Sequence, residues 1–289
     1  MAVRKTGINP KGFDKSQIKL YLILLPFAAF MILPLIFIIN HAFKPMQELF
    51  AFPPTFFVKQ PSLENFQNLV KTAQTSAIPI SRYIFNSVVV TVVVIAFSLL
   101  FSSMAAYALS KKQFRGKTFG LELNNAALMF VATAVTIPRY LIINGVHIQN
   151  TYWAHILPLL ALPVSVFLLK QFIDQVPDSL IEAAIIDGAG EFRIYWSVVM
   201  PLIRPALATS ALLVFQSVWN NLETSQLFVT NESLRTLAFY LNTFASNTNT
   251  VVGQGAAAAA SLIIFVPNLL LFVFMQSKVI NTMAHSGLK

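Results

Sequence analysis

The sequence predicts an all-α, polytopic membrane protein. Three observations carry that prediction: the composition, the length of the uncharged runs and the placement of the basic residues. Hydrophobic residues make up 56% of the 289 positions, charged residues only 11%, and Phe alone occurs 26 times. A soluble domain holds about 25% charged residues, so this chain lacks the polar surface to face water on all sides. Its length supplies several spans of about 20 residues with short connections, read as one transmembrane domain over 1–289.

Six spans are expected. The run between Lys19 and Lys44 carries no Asp, Glu, Lys or Arg, and it is long enough for a first helix despite Pro26 and Pro34. Basic residues precede this run, as in a signal peptide. However, the run exceeds an ordinary signal core and no small-x-small site follows near Asn40 to Phe43, so it reads as a retained span. A second span lies within the longer uncharged run between Arg82 and Lys111. A third is expected from Leu121 to Ile143, with Glu122 and Arg139 separated by roughly 25 Å so that each reaches an interface. The fourth runs from Trp153 to Leu169, the fifth within the uncharged run between Arg204 and Glu223, and the sixth from Ala256 to Gln276. Gly253, Gly255 and the alanines 256–260 at the head of the last span favour close helix packing.

The net charge of +9 does not indicate nucleic acid, because the basic residues sit in short segments beside apolar runs. With the N-terminus inside, the inner segments hold Arg4, Lys5, Lys11, Lys15, Lys19, Lys111, Lys112, Arg115, Lys117, Lys170, Arg193, Arg204, Lys278 and Lys289, the majority of the 20 basic residues. The positive-inside rule therefore gives an N-in, C-in topology. Residues 1–19, 170–204 and 277–289 are then cytoplasmic, and 44–82 is an external loop, expected to be ordered but irregular from its several prolines. No cysteine is present, which excludes disulfides, thiolate metal sites and a Cys nucleophile.

The segment 170–204 carries more structure than a connector needs. Asp174, Asp178, Glu182, Asp187 and Glu191 crowd nearly half of the chain's 11 acids into one short stretch. Pro177-Asp178-Ser179 marks a helix start, and Ser179-x-x-Glu182 matches a capping box. Gly188 is positioned to end that helix in the left-handed conformation. A second short helix is expected over Glu191 to Val199, before Pro201 and Pro205.

Glu182-Ala183-Ala184-x-x-x-Gly188, with Asp187-Gly188-Ala189 and Pro201-Leu202-x-x-Pro205-Ala206-Leu207, resembles the coupling loop of binding-protein-dependent ABC importer permeases. Val198 and Met200 stand where that family usually has Ile and Leu. The chain is similar, over nearly its whole length, to the carbohydrate branch and its maltose-type second permease. The matching stretches are Asn86-Ser87, Ala105 to Ser110, Phe114 to Lys117, Ile137-Pro138-Arg139-Tyr140, Trp219-Asn220 and Thr282 to Lys289. The resemblance implies a type I ABC importer transmembrane fold in a bacterial plasma membrane, surrounded by lipid. It implies a second homologous permease, a dimer of cytoplasmic ATPase subunits that carries ATP and Mg, and an external or periplasmic sugar-binding protein. It also implies that Glu182, Ala183, Ala184, Asp187, Gly188, Ala189 and Pro201 couple to the ATPase, and that Ser286, Gly287 and Lys289 contact it through the tail.

Each of these signals also has a plain structural reading. Glu-Ala-Ala alone occurs in any helix, and the tail alternatively is a simple terminus. Trp219 and Asn220 line the translocation path or, for Trp219, anchor an interface. Arg139, beside Tyr140, either meets an anionic sugar or snorkels outward. Arg82, Arg139 and Arg235 suggest a uronate-containing oligosaccharide. His147 and His155, eight apart without nearby carboxylates, read as structural residues rather than metal ligands.

The chain itself has no means of using ATP. Gly116-Lys117-Thr118 has Lys111 where a phosphate loop requires its first Gly. No Gly-x-Ser-x-Gly elbow, paired intramembrane acids or His-Glu-x-x-His helix suggests an enzyme. The expected function is thus a sugar-importing permease working by alternating access. The alternatives are an importer permease for another solute, such as phosphate or spermidine, and an ion-gradient-driven transporter. The last would want midplane ionisable groups that the chain hardly offers.

Overall fold

The computed structural model describes residues 18–75, 78–246 and 251–286. Among these the regular structure is helical throughout. Helix α1 (Ile18–Phe43) spans 26 residues, and residues 18–35 are exposed around its whole circumference although nearly all are apolar. A helix apolar on all sides and uncovered by its own chain is stable only in hydrocarbon. Pro26 and Pro34 lie inside it. The segment 44–82, expected to be an irregular loop, is less irregular than that, since it contains a 12-residue helix, α2 (Glu64–Thr75).

Helix α3 (Ile80–Lys111) has 32 residues, a rod of about 48 Å. The expected third span is not one helix. It divides into α4 (Lys117–Met129) and α5 (Thr136–Gly145), bent by 108° across a short 3-10 turn. Glu122 and Arg139 therefore do not share an axis, and the separation expected for a straight helix does not apply. The fourth span also breaks, into α6 (Tyr152–Leu160) and α7 (Pro163–Asp174), bent by 43°. Pro163 explains this break, since its ring drives the preceding Leu162 out of the helical region, and Leu162 is extended (φ −109°, ψ 99°).

A helical hairpin follows: α8 (Asp178–Ile186) and α9 (Glu191–Leu202). Helix α9 is longer than expected and carries a π turn at Ile194–Val199. That turn immediately precedes Pro201, which supplies no N–H and crowds the carbonyl one turn back. The chain then bends by 82° at Ile203 into α10 (Arg204–Trp219), the main body of the fifth span. Helices α11 (Glu223–Leu227) and α12 (Leu237–Ser246) cap the far end, and α13 (Val251–Ser286) is the last span. Among the described residues, three helices are long and apolar enough to cross a membrane, and six segments are if each bent pair is one crossing.

Two clusters define the ends of the bundle. Ala42, Leu69, Tyr83, Leu237, Leu241, Ala259 and Ala260 pack at one end. Ala106, Tyr107, Leu169, Ile173, Tyr195, Val199 and Ala206 pack at the other. The small residues of α13 admit α2 as expected. A Cβ on Gly255 would lie 2.7 Å from Asn65 Oδ1 and 2.9 Å from its Nδ2. Asn65 cannot yield freely, because it is buried and donates to the carbonyls of Ala42 (3.0 Å) and Lys44 (2.8 Å). Gly255→Val should therefore destabilise the bundle by about 1–3 kcal/mol, the usual cost of overpacking. Thermal unfolding of the detergent-solubilised protein measures it, and an unchanged midpoint would refute the close contact.

Candidate functional site

The hairpin is built from local chemistry outward. Helix α8 begins after Pro177, which is extended (φ −60°, ψ 132°), and no side chain caps it, so the expected Ser179–Glu182 box does not form. Its end matches the expectation. Gly188 takes φ +77°, its N–H donates to Ile185 O (2.9 Å), and the Ala189 N–H donates to Ala184 O (2.9 Å). This is the paired closure of a Schellman motif, and L side chains adopt that φ only with strain. A Cβ on Gly188 would meet nothing within 4 Å, so conformation and not crowding within the chain selects glycine.

The hairpin is fastened to α3 by its acids. Lys111 Nζ donates to Asp178 Oδ1 (2.7 Å) and to Val176 O (2.6 Å). Lys112 Nζ donates to Glu191 Oε1 (2.5 Å), and the Tyr107 hydroxyl donates to Glu191 Oε2 (3.2 Å). Ser110 Oγ and Lys170 Nζ both reach Asp174, and the Ser103 and Tyr195 hydroxyls lie 2.7 Å apart. Beneath these polar contacts Tyr195, Val199 and Ile203 are buried against Ala106, Leu169 and Ile173. Three of the five clustered acids are thus engaged within the chain. Glu182 and Asp187 make no ion pair among the described residues.

The opposite face of the hairpin is uncovered. Ile186 is 86% exposed, Phe192 75%, and Ile185, Trp196 and Leu180 are also exposed. Phe192 and Trp196, one turn apart, stack with centroids 6.4 Å apart and an interplanar angle of 6°. Ala183 is exposed, while Ala184 and Ala189 are partly covered, so small residues alternate with this apolar relief. Pro201 is exposed at the C-terminal turn of α9. Ser286 ends α13, and Gly287 and Lys289 lie outside the described residues.

The expected pathway residues fall near the other end. Trp219 Nε1 donates to Ile264 O (3.2 Å) and its ring stacks on Phe215, so it ties α10 to α13. Asn220 and Asn268 exchange amide hydrogen bonds (3.1 and 3.4 Å). Together with Gln216, Ser261, Ile264 and Phe265 they line an open groove between α10 and α13. The sequence reading missed Gln216, Ser261 and Asn268. Their signal is the placement of neutral polar side chains in otherwise apolar helices, and it emerges only when two helices bring them together.

Arg139 does not snorkel and does not point at an unpaired site. Its Nη1 donates to Glu223 Oε1 (3.0 Å) and Oε2 (2.9 Å), with both side chains about three-quarters buried. Tyr140 stacks on Phe228 instead, centroids 6.4 Å apart. Arg235 pairs with Glu232 and lies over the Phe239 ring, and Arg82 donates to Ser233 O. Arg139 and Arg235 are thus ion-paired within the chain, whereas the exposed Arg82 makes one hydrogen bond through Nε and no ion pair among the described residues.

Electrostatics make the hairpin junction pH-dependent. The Lys112 hydrogen bond holds the Glu191 carboxyl below the usual carboxylate range, against the weaker opposing effect of burial. Burial would lower Lys112, but hydrogen bonding to Glu191 and the charges of Tyr107 and Glu191 raise it on balance. A lowered carboxyl stabilises the docked hairpin above its unfolded pKa of about 4.3 and loses that contribution as pH falls through the lower folded value. The raised lysine contributes fully below about 10.4 and loses its part above it. Amide protection factors of the hairpin should therefore be flat between roughly pH 5 and 10 and fall on both sides. Glu191→Gln should lower the plateau and flatten the acid limb, and an unchanged acid limb would remove Glu191 as its cause.

Residues 119–277 match the model of the family described as "Binding-protein-dependent transport system inner membrane component". The chain is 31% identical over 271 residues to the arabinooligosaccharides transport system permease protein AraQ of Halalkalibacterium halodurans, covering 91% of this chain and 93% of that one. It is 28% identical to the diacetylchitobiose uptake system permease protein DasC of Streptomyces coelicolor, covering 90% and 92%. A solved bacterial ABC transporter involved in the import of the acidic polysaccharide alginate superposes with TM-score 0.78 at 21% identity, over 93% of this chain and 99% of that one, a likeness of fold. The all-helical bundle, its polar groove and these matches lead to one conclusion: this chain belongs to the inner-membrane permease family of binding-protein-dependent ABC importers.

Proposed function

We propose that this chain is one of two permease subunits of an ATP-driven oligosaccharide importer, and that its hairpin is the handle by which a cytoplasmic ATPase moves it. The observation that carries this reading is the two-sided hairpin. One side is locked to α3 by Lys111, Lys112 and Tyr107, while Leu180, Ile185, Ile186, Phe192 and Trp196 present an apolar face that no described residue covers. A lever needs a stiff attachment and a free grip. On this reading Glu182, Ala183, Ala184, Asp187, Gly188 and Ala189 form the grip, Pro201 sets the turn into the fifth span, and the tail with Ser286, Gly287 and Lys289 adds a second ATPase contact. ATP and Mg belong to the ATPase dimer, and this segment and both chain ends face the cytosol.

The groove of Gln216, Asn220, Ser261 and Asn268 is this chain's contribution to a polar path. Sugars present hydroxyls, and amides offer donors and acceptors without the desolvation cost of a charge. A second homologous permease supplies the other wall, and an external binding protein delivers the oligosaccharide. Of the arginines that suggest a uronate-containing oligosaccharide, Arg139 and Arg235 are paired within the chain, which leaves the exposed Arg82 as the one to meet an acidic sugar. The relatives named for arabinooligosaccharide and diacetylchitobiose transport support the sugar class.

The test is the purified assembly of both permeases, ATPase and binding protein in nanodiscs, screened with oligosaccharides for stimulated ATP hydrolysis. Stimulation by one of them is expected; hydrolysis that ignores all sugars, with uptake of another solute, would overturn the substrate class. Within that assembly Gly188→Val places a β-branched residue at φ +77°, costing about 1–2 kcal/mol or more. Transport should fall at least tenfold with membrane insertion and the unstimulated assembly intact. Full transport by that variant would defeat the handle assignment.

A further inference from the structure

The far end of the bundle contains a device that the proposed function does not use. After α11 the chain runs as a strap over residues 228–237, and side chains from the spans grip its backbone at successive carbonyls. Asn86 Nδ2 donates to Ser233 O (2.9 Å) and Arg235 O (2.8 Å), and Asn86 Oδ1 accepts from the Tyr152 hydroxyl (2.7 Å). Between those two carbonyls, His155 Nε2 lies 3.0 Å from Leu234 O. His155 Nδ1 lies 2.8 Å from Thr224 Oγ1. The histidine and Asn86 are both 0% exposed. At the strap's outer edge Asn150 Oδ1 accepts from Thr230 N, Thr230 Oγ1 and Asn231 N.

Hydrogen accounting fixes one nitrogen of the ring. The Leu234 carbonyl only accepts, so His155 Nε2 carries a hydrogen. The Thr224 hydroxyl has one hydrogen and two partners within reach, His155 Nδ1 and Asn221 Oδ1. Thr224 in turn is held by Asn221, whose Oδ1 accepts the Thr224 amide (3.0 Å) and lies 2.8 Å from the same hydroxyl. Asn221 is the neighbour of Asn220, which exchanges bonds with Asn268 in the groove, and Thr224 is the neighbour of Glu223, which holds Arg139. One buried ring therefore joins the strap, on one nitrogen, to the segment 220–224 that borders the groove, on the other.

We propose that His155 is a positioning residue that couples the strap to the groove, so that a protein docking outside changes the Asn220–Asn268 contact through the Leu234–His155–Thr224–Asn221 chain. This rests on the importer reading above. Both ring bonds are needed: Nε2 reaches the strap at Leu234, and Nδ1 reaches the segment that borders the groove at Thr224.

The test uses the full assembly in nanodiscs with wild type, His155→Gln and His155→Asn. A glutamine amide nitrogen falls near the Nε2 position and keeps the donor to Leu234; an asparagine amide falls near Nδ1 and loses it. Three quantities are read: basal ATP hydrolysis, its stimulation by the sugar-loaded binding protein, and hydrogen exchange of the 228–237 amides. In His155→Asn the strap amides should exchange at least tenfold faster and stimulation should fall about tenfold, with basal hydrolysis unchanged. His155→Gln should keep the strap amides protected but lose stimulation about tenfold, because it leaves Thr224 without a partner at the Nδ1 position. A loosened strap with full stimulation, or unchanged exchange in His155→Asn, overturns the proposal. If His155→Asn does not assemble, His155→Gln decides alone, since full stimulation there, with the Thr224 link gone, contradicts the relay. Absent stimulation in the wild type would instead count against the importer reading, and the exchange data would still judge the strap.

Discussion

A helix that crosses hydrocarbon cannot open its own backbone, because no water is available to replace the lost hydrogen bonds. Helix α3 applies that constraint over 32 residues, and both the hairpin and the strap are fastened to it. Asn86 and Ser87 near its first turns hold the strap at Ser233, Arg235 and Leu237. Tyr107, Ser110, Lys111 and Lys112 in and just after its last turn hold the hairpin. A stiff rod with a segment pinned at each end joins those two segments, and α7 and α10 brace it by packing along its apolar faces.

The bent segments break at identifiable places. Pro163 and the turn between α4 and α5 interrupt the helices, and Met129, Phe130 and Val131 at that turn are exposed. Interrupted backbone at membrane depth is tolerated only where protein or a polar cavity satisfies it. Among the described residues α1, α3 and α13 are the helices long and apolar enough to cross a membrane unbroken.

The polar groups follow the same division. Acids and lysines at the hairpin end form exposed or half-exposed pairs that make a stiff but replaceable joint, each individually weak. At the strap end the linking groups are buried amides, hydroxyls and an imidazole, each satisfied by a backbone or side-chain partner. Buried neutral networks of that kind specify one arrangement, because any displaced member leaves an unsatisfied group in a dry environment.

Much of this protein is determined by the sequence alone. The membrane environment, the apolar runs and the acidic hairpin ending at Gly188 follow from local composition and spacing, and the left-handed glycine at φ +77° is a local conformational demand that any neighbour would leave unchanged. Sequence reasoning fails where a property depends on residues far apart in the chain. A straight third span is the simplest inference from an apolar run, but apolarity does not report a 108° turn. Arg139 in isolation can be weighed only against solvent and ligand, and folding brings it to Glu223, 84 positions away. The capping box fails because Pro177 begins α8 without a side-chain cap. His155, Asn86 and the groove partners Gln216, Ser261 and Asn268 are ordinary residues in the sequence. Tertiary structure alone decided their roles, because a hydrogen bond buried among helices is set by which helices meet, and that is a property of the packed bundle and not of any segment in it.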